Sequence, residues 1–240
     1  MSQRKTMETT SDIMERCTDG TGRGVATFYV RMIVEKKGEK RYKVARELQK
    51  YLNGEFRDES SEFQQEFINY IDSKHDNYQN SKLLELINAT NEKGAEKESS
   101  REAAIILIVL LAEPMVTIEG GTRVVRFAHY ILKVLLEMEE SGMELGARGL
   151  AYLIQTSKAY AAELVEKCLD QSLEWAEDDS PIHTEGRRLA AAILLRELAL
   201  FTSTAFFIRA NSFFKNIFTC LRYPKVIYIT FHFLQVFFIT

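Results

Sequence analysis

Histidine and cysteine, the residue types that most often perform chemistry in proteins, are few and widely separated in this 240-residue sequence. The histidines show neither HxxxH nor HxH spacing and the cysteines form no CxxC pair, so no zinc site is predicted. An odd number of distant cysteines favours a reducing compartment and thiols without a chemical role. The residues concerned are His75, His129, His183 and His232, with Cys17, Cys168 and Cys220.

Motifs for nucleophilic catalysis or phosphate binding are also missing from the sequence. Neither GxSxG nor GxxxxGK[ST] occurs. The glycine-rich segment Gly20–Gly24 follows no predicted strand, so we interpret it as a flexible N-terminal loop and not as a phosphate cradle. The sequence therefore predicts no catalytic, cofactor-binding or metal-binding residue, and no cofactor.

Several other side chains could be given a functional or a structural interpretation, and for each the structural one is preferred. His129 lies inside an apolar stripe and is expected to be a packed or partly exposed helical residue. Trp175, the only tryptophan, could anchor a partner, but packing between two repeats is the better prediction. Met138 and Met143 are expected to fill gaps in the core. The acidic run at 178–179 and 185, followed by two arginines, is interpreted as a charged helix cap.

The elements that must position these residues are helices. The composition is 46% apolar and 27% charged with three prolines, which excludes disorder and collagen-like repeats. The net charge of −3 gives no case for nucleic-acid binding. Between residues 40 and 223 apolar residues recur at i, i+3, i+4 and i+7, which is typical of amphipathic helices. The predicted stripes fall at 44–52, 63–71, 124–135, 164–173 and 206–221.

Three helices share a pattern that suggests internal repeats. Arg101, Arg148 and Arg188 each precede a small residue by three positions, and the spacings between them are about 47 and 40 residues. Helix pairs at this spacing are typical of HEAT and armadillo arrays, in which small residues allow close helix approach. An ordinary helical bundle remains the alternative. We predict an all-α fold, an α-solenoid of antiparallel helix pairs.

The pattern divides the chain into three parts. Residues 1–39 are an unassigned N-terminal segment, expected to be partly disordered, in which Val25–Val34 could form a short strand or a helix. Residues 40–225 are predicted to be HEAT-like helical repeats. An insertion near 74–100 is interpreted as two polar loops around a short helix at Leu83–Ile87. Residues 226–240 form an apolar tail without Asp, Glu, Lys or Arg.

Several blocks between residues 40 and 225 resemble a known family. The most specific are LEWAEDD at 173–179, EGRRLAA at 185–191 and LRELA at 195–199. Supporting blocks are RYKVARELQ at 41–49, EGG at 119–121, RFA at 126–128 and FFKNIF at 213–218. Together they resemble the N-terminal HEAT-repeat region of the target-of-rapamycin (TOR) serine/threonine-protein kinases.

This resemblance implies a cytoplasmic interaction scaffold in nutrient and growth signalling. By the resemblance, its partners are other HEAT regions of the same kinase, a Raptor-like subunit and a Rheb-like small GTPase. The partner-binding residues are unknown, and no nucleic acid is expected. The family carries its kinase domain near the C-terminus. This sequence has no HRD-like or DFG motif, so we expect a truncated chain without catalytic activity.

The tail at 226–240 allows three interpretations. It begins at a valine, whose codon starts with the GT of an intron boundary, so it is a candidate for intron read-through or a gene-model error. A genuine truncated isoform is the second possibility. The third is a tail-anchored membrane protein with a helical cytosolic domain. The uncharged run of fifteen residues is short for a membrane span, which needs about 20.

Overall fold

The computed structural model describes residues 22–53, 60–72, 81–119, 121–177 and 184–201. Over these residues the chain forms nine α-helices, one 3-10 turn at Leu135–Glu137 and no strand, which confirms the predicted all-α, HEAT-like helical fold. The helices are α1 (Gly22–Glu35), α2 (Glu39–Leu52), α3 (Ser60–Ile71), α4 (Lys82–Asn88), α5 (Gly94–Glu119), α6 (Thr122–Val134), α7 (Glu140–Thr156), α8 (Ala161–Glu177) and α9 (Thr184–Phe201).

The chain divides into two compact units, and the division falls inside a helix. The first unit ends at Pro114 and the second begins at Met115, both within α5. A proline inside a helix has no backbone N–H to donate, so one helical hydrogen bond is missing at this point. The repeat pattern in the sequence did not predict this boundary.

The first unit is built on the packing of α1 against α2 and α3, with α2 also touching α3. The inner face of α2 buries Val44, Leu48 and Leu52, spaced at helical intervals as predicted. Ser81 caps the short helix α4, because its side chain accepts a hydrogen bond from the backbone N–H of Leu84.

In the second unit, helices pack both on the next helix in the sequence and on the one after it. Helix α9 packs on α7 and α8, and α6 packs on α7. The connection between α7 and α8 covers only residues 157–160, and such short links join antiparallel neighbours. Small residues line the buried face of α7, where they let neighbouring helices approach closely, and Ala191 of α9 is buried too. Those of α7 are Gly142, Gly146, Ala147, Gly149 and Ala151.

Most of the predicted apolar stripes are buried. In the stripe at 164–173, Leu173 is half-buried and the other apolar members are buried. The buried members are Val44, Leu48, Tyr51, Leu52, Phe67, Ile71, Val124, Phe127, Ala128, Ile131, Leu132, Leu135, Leu164, Val165, Cys168 and Leu169.

The structure shows the secondary structure of two segments. The sequence left the first open between strand and helix, and the second was predicted to be a loop. Val25–Val34, a candidate strand or helix, is helical and lies within α1. Residues 94–100, interpreted as part of a polar loop, are instead the first turns of α5. These residues are polar because most of them lie at the surface of the helix, not because they form a loop. Most are exposed or half-buried, and only Ser100 is fully buried. The predicted helix at Leu83–Ile87 is confirmed as α4.

Parts of the sequence prediction lie outside the described residues. These include the stripe at 206–221, the acidic break at 178–181 and the tail at 226–240. Among the helices that the structure does describe, none is both long enough and apolar enough to cross a bilayer. The extent of the repeat array, 40–225, stays a prediction.

Candidate interaction surface

His129 is a helical and partly exposed residue, as the sequence predicts. It lies half-buried on α6, near Lys167 and Glu163 of α8. Burial lowers the pKa of the imidazole below 6.5, and Lys167 lowers it further, while Glu163 acts in the opposite direction. Within the described ranges, no three His, Cys, Asp or Glu side chains are grouped to hold a metal ion.

Cys168 is buried on α8 and is a free thiol. Burial raises its pKa to about 12, with nearby Lys167 opposing the shift. A thiol with such a pKa stays protonated at neutral pH, and the thiolate is the reactive form. Cys168 is therefore a packing residue and not a nucleophile.

The tryptophan and methionines singled out in the sequence are packing residues too. Trp175, Met138 and Met143 are all buried within the second unit. Trp175 is 5% exposed, so it offers almost no area to a partner. The structure thus favours the repeat-packing role of Trp175 over the anchoring role.

Arg41 is the centre of a polar cluster in the first unit. Its side chain is 2% exposed. Nε donates to the carbonyl oxygens of Ile33 (2.9 Å) and Lys36 (2.8 Å), at the C-terminal end of α1. One terminal nitrogen donates to Glu102 at 2.7 Å and the other to Ser99 at 2.5 Å, both on α5. A single side chain from α2 thus joins three helices and satisfies carbonyls that a helix end leaves without partners.

The three arginines that marked the repeats differ in environment. Arg101 is buried, and its Nε donates to the carbonyl of Ile87 at 3.1 Å, which ties α5 to α4. Arg188 is also buried. Arg148 is different, because its side chain is 62% exposed. The shared sequence pattern therefore marks a shared helix register and not a shared role for the arginine.

A second polar cluster joins α7 to α9. Arg196 contacts Glu197 at 2.7 Å and Glu144 at 3.2 Å, and Glu197 also lies 3.6 Å from Arg148. Burial disfavours the charge on Arg196, but its bonds to Glu197 and Glu144 outweigh that cost and raise its pKa. Glu197 is almost fully buried, so the ion pairs fix the register of the two helices.

The outer surfaces of the helices carry most of the exposed charge. The outer face of α8 is acidic, and that of α2 is basic, with an exposed tyrosine, Tyr42. Sequence reasoning did not single out the α2 face, although the density of lysine and arginine at 36–50 was a visible signal. The acidic residues of α8 are Glu163, Glu166, Asp170, Glu174 and Glu177.

Comparison with known proteins finds target-of-rapamycin proteins among the relatives of this chain. No family model matches the chain, and no solved structure matches it. The "Target of rapamycin homolog" of Caenorhabditis elegans is 38% identical over 213 residues, which cover 83% of this chain and 8% of that protein. "Serine/threonine-protein kinase tor1" of Schizosaccharomyces pombe is 32% identical over 43% of this chain. "Serine/threonine-protein kinase TOR" of Arabidopsis thaliana is 31% identical over 45%.

The matched regions are small parts of these relatives. The chain spans 8% of the nematode protein and 4% of the yeast and plant proteins. The match to the nematode protein nevertheless covers most of this chain, and the helical fold agrees with the predicted HEAT-like repeats. This chain is therefore a homologue of one helical region of the target-of-rapamycin proteins.

Proposed function

We propose that this chain is a protein-interaction scaffold that acts within a TOR-type complex in nutrient and growth signalling. The observation that carries the proposal is the 38% identity to the nematode protein over 83% of this chain. Stacked helix pairs support a scaffold role, because each pair buries its inner face and leaves its outer face to partners.

The proposed partners are other HEAT regions of the same kinase, a Raptor-like subunit and a Rheb-like small GTPase in the cytoplasm. We propose that the chain has no kinase activity of its own. The sequence contains neither an HRD-like catalytic loop nor a DFG motif, the two motifs that bring the catalytic base and the magnesium-binding aspartate to ATP.

Binding of the purified full chain to an immobilised Raptor-like subunit, Rheb-like GTPase and TOR HEAT region tests the scaffold proposal. We expect saturable binding to at least one of them, and no phosphate transfer when the chain is incubated with Mg²⁺-ATP and a peptide substrate. An inert protein of similar charge serves as the control. Absence of binding to all three at 100-fold molar excess would contradict the proposal.

A further inference from the structure

The outer side of α2 and the loop before it concentrate positive charge. The segment from Glu35 to Lys50 holds seven basic and three acidic residues, in a chain whose net charge is −3. Four of its lysines are exposed, and we call them, together with Tyr42, the basic face. The four are Lys37, Lys40, Lys43 and Lys50.

Little negative charge within the described residues compensates the basic face. Of the acids nearby, Glu39 pairs with Arg46 at 2.8 Å, and Glu35 lies 3.9 Å from Arg31. Glu47, half-buried on α2, is the third acid of the segment. The four lysines therefore present their ammonium groups to solvent, where an incoming anion can reach them.

The opposite side of α2 holds the basic face in a fixed geometry. That side is buried by Val44, Leu48 and Leu52, and Arg41 ties it to α1 and α5. From Lys40 to Lys50 the helix rises about 15 Å. The backbone that carries Lys40, Lys43 and Lys50 is thus already ordered before a partner binds, so that part of the entropic cost of association is avoided.

The basic face fits an acidic protein segment better than a bilayer or a nucleic acid. A membrane-surface helix inserts an apolar face, but the apolar face of α2 is already buried, and Tyr42 is its one large apolar side chain that is exposed. A nucleic acid is usually bound by a basic surplus spread over a wide surface, whereas the basic face is one helix wide in a chain of net charge −3.

We propose that the basic face docks an acidic helical segment of a partner protein, with carboxylates spaced three to four residues apart. Such spacing places the carboxylates on one side of the segment, over the lysine ammonium groups. Tyr42, which is 43% exposed, offers a flat, partly apolar contact at the edge of this array. The inference names a partner class for the proposed scaffold function and rests on it.

The test uses the full chain and a labelled 16-residue helical peptide with glutamates every three to four residues and one leucine. A peptide with glutamine in place of each glutamate is the control ligand. We expect affinity for the acidic peptide alone, weakening at least tenfold between about 50 and 300 mM salt because the charges are exposed.

Two triple variants with equal net charge test whether peptide binding depends on the basic face or on the overall charge of the chain. K40E/K43E/K50E should weaken binding at least tenfold, whereas K93E/K133E/K158E, at exposed lysines elsewhere, should stay within threefold. Circular dichroism checks that both are folded. K40Q/K43Q/K50Q gives a milder change in the same direction should the first variant misfold.

Three results would overturn the inference. The first is an equal loss of peptide affinity in both triple variants. The second is tighter binding of the wild type to phosphatidylserine vesicles or to duplex RNA than to the peptide. The third is self-association in sedimentation velocity that K40E/K43E/K50E alone abolishes, which would make a second copy the occupant. If the peptide fails to bind while the Raptor-like subunit binds, this inference falls and the scaffold proposal stands.

Discussion

Arg41 shows how one residue can hold three helices together. Burial lowers the pKa of its guanidinium, and the nearby charge of Glu102 opposes that shift. The desolvation cost is offset by hydrogen bonds from all three of its guanidinium nitrogens. The sequence contained a signal for this role, because Arg41 precedes Val44, Ala45 and Leu48 at core-facing intervals. In the sequence, Arg41 is otherwise notable only as the first residue of the family block at 41–49.

Replacing Arg41 by alanine should destabilise the chain strongly. The carbonyls of Ile33 and Lys36 and the carboxylate of Glu102 would lose a buried donor, and breaking such a buried network costs about 3 kcal/mol. Urea unfolding followed by circular dichroism measures the change in the free energy of unfolding.

Arg46 provides the matched control on the same helix. It pairs with Glu39 at 2.8 Å, but both side chains are exposed, at 67% and 85%. Arg46→Ala should therefore cost less than about 0.5 kcal/mol. Similar losses in the two variants would show that the Arg41 network contributes no more than a surface pair.

His129 should make stability depend on pH in a defined direction. Its pKa is lowered in the folded state, so the unfolded chain binds the proton more tightly. The contribution of His129 to stability is then complete above pH 6.5 and is lost as pH falls from there through the lower pKa of the folded state. The free energy of unfolding should fall less between pH 7.5 and 5 in His129→Gln than in the wild type.

An NMR titration separates the causes of the His129 shift. Lys167→Gln removes the cation that adds to the lowering, so the pKa of His129 should rise toward 6.5. Glu163→Gln removes the opposing charge and should lower it further. A wild-type pKa at or above 6.5 would contradict the placement of His129 in a partly buried site.

At the scale of elements, the turn before α6 depends on a glycine. Gly121 has φ 92°, a left-handed conformation that residues with a side chain rarely adopt. A Cβ added there would lie 3.3 Å from ring atoms of Tyr160, in the connection between α7 and α8. Backbone conformation and close packing thus both require glycine where α6 begins.

Gly121→Ala should lower the free energy of unfolding by about 1–3 kcal/mol, from positive-φ strain and crowding of the Tyr160 ring. Gly186→Ala is the control, because nothing lies within 4 Å of its added Cβ and the residue is in helix α9. Alanine favours a helix over glycine by up to about 1 kcal/mol, so that variant should be neutral or more stable. Thermal unfolding of both compares the signs; destabilisation by Gly186→Ala would contradict the assignment.

At the scale of the whole molecule, the exposed apolar side chains of the described structure are unevenly placed. Leu200 and Phe201 are adjacent at the end of α9 and are 43% and 45% exposed, whereas Tyr42 stands apart on α2. Single exposed apolar residues are common on protein surfaces, but contiguous ones promote association.

Leu200→Ser/Phe201→Ser should therefore reduce aggregation of the full chain. We expect a later onset of light scattering on heating at micromolar concentration, without a large change in helical content. Tyr42→Ser removes a similarly exposed but isolated side chain and should leave the onset unchanged. An equal effect of the two substitutions would show that the end of α9 has no special role in association.

The all-α class, most of the buried stripes and the relationship to the TOR proteins can be predicted from the amino-acid sequence alone. Helical periodicity is a local property, and the blocks at 173–199 are specific enough to identify relatives. The sequence also predicted packing roles for Trp175 and the two methionines, since large apolar side chains within such stripes are normally buried.

Which charged residues are buried and which are exposed becomes visible only in the folded structure. Arg41, Arg101 and Arg148 are the same residue type, yet two are buried and one is exposed. The difference depends on helices that lie elsewhere in the sequence. The helical start of α5, which is polar, and the division between the two units at Pro114 were likewise not predicted from the sequence. Burial of a polar group depends on a partner supplied by another element, and local sequence does not encode where that partner lies.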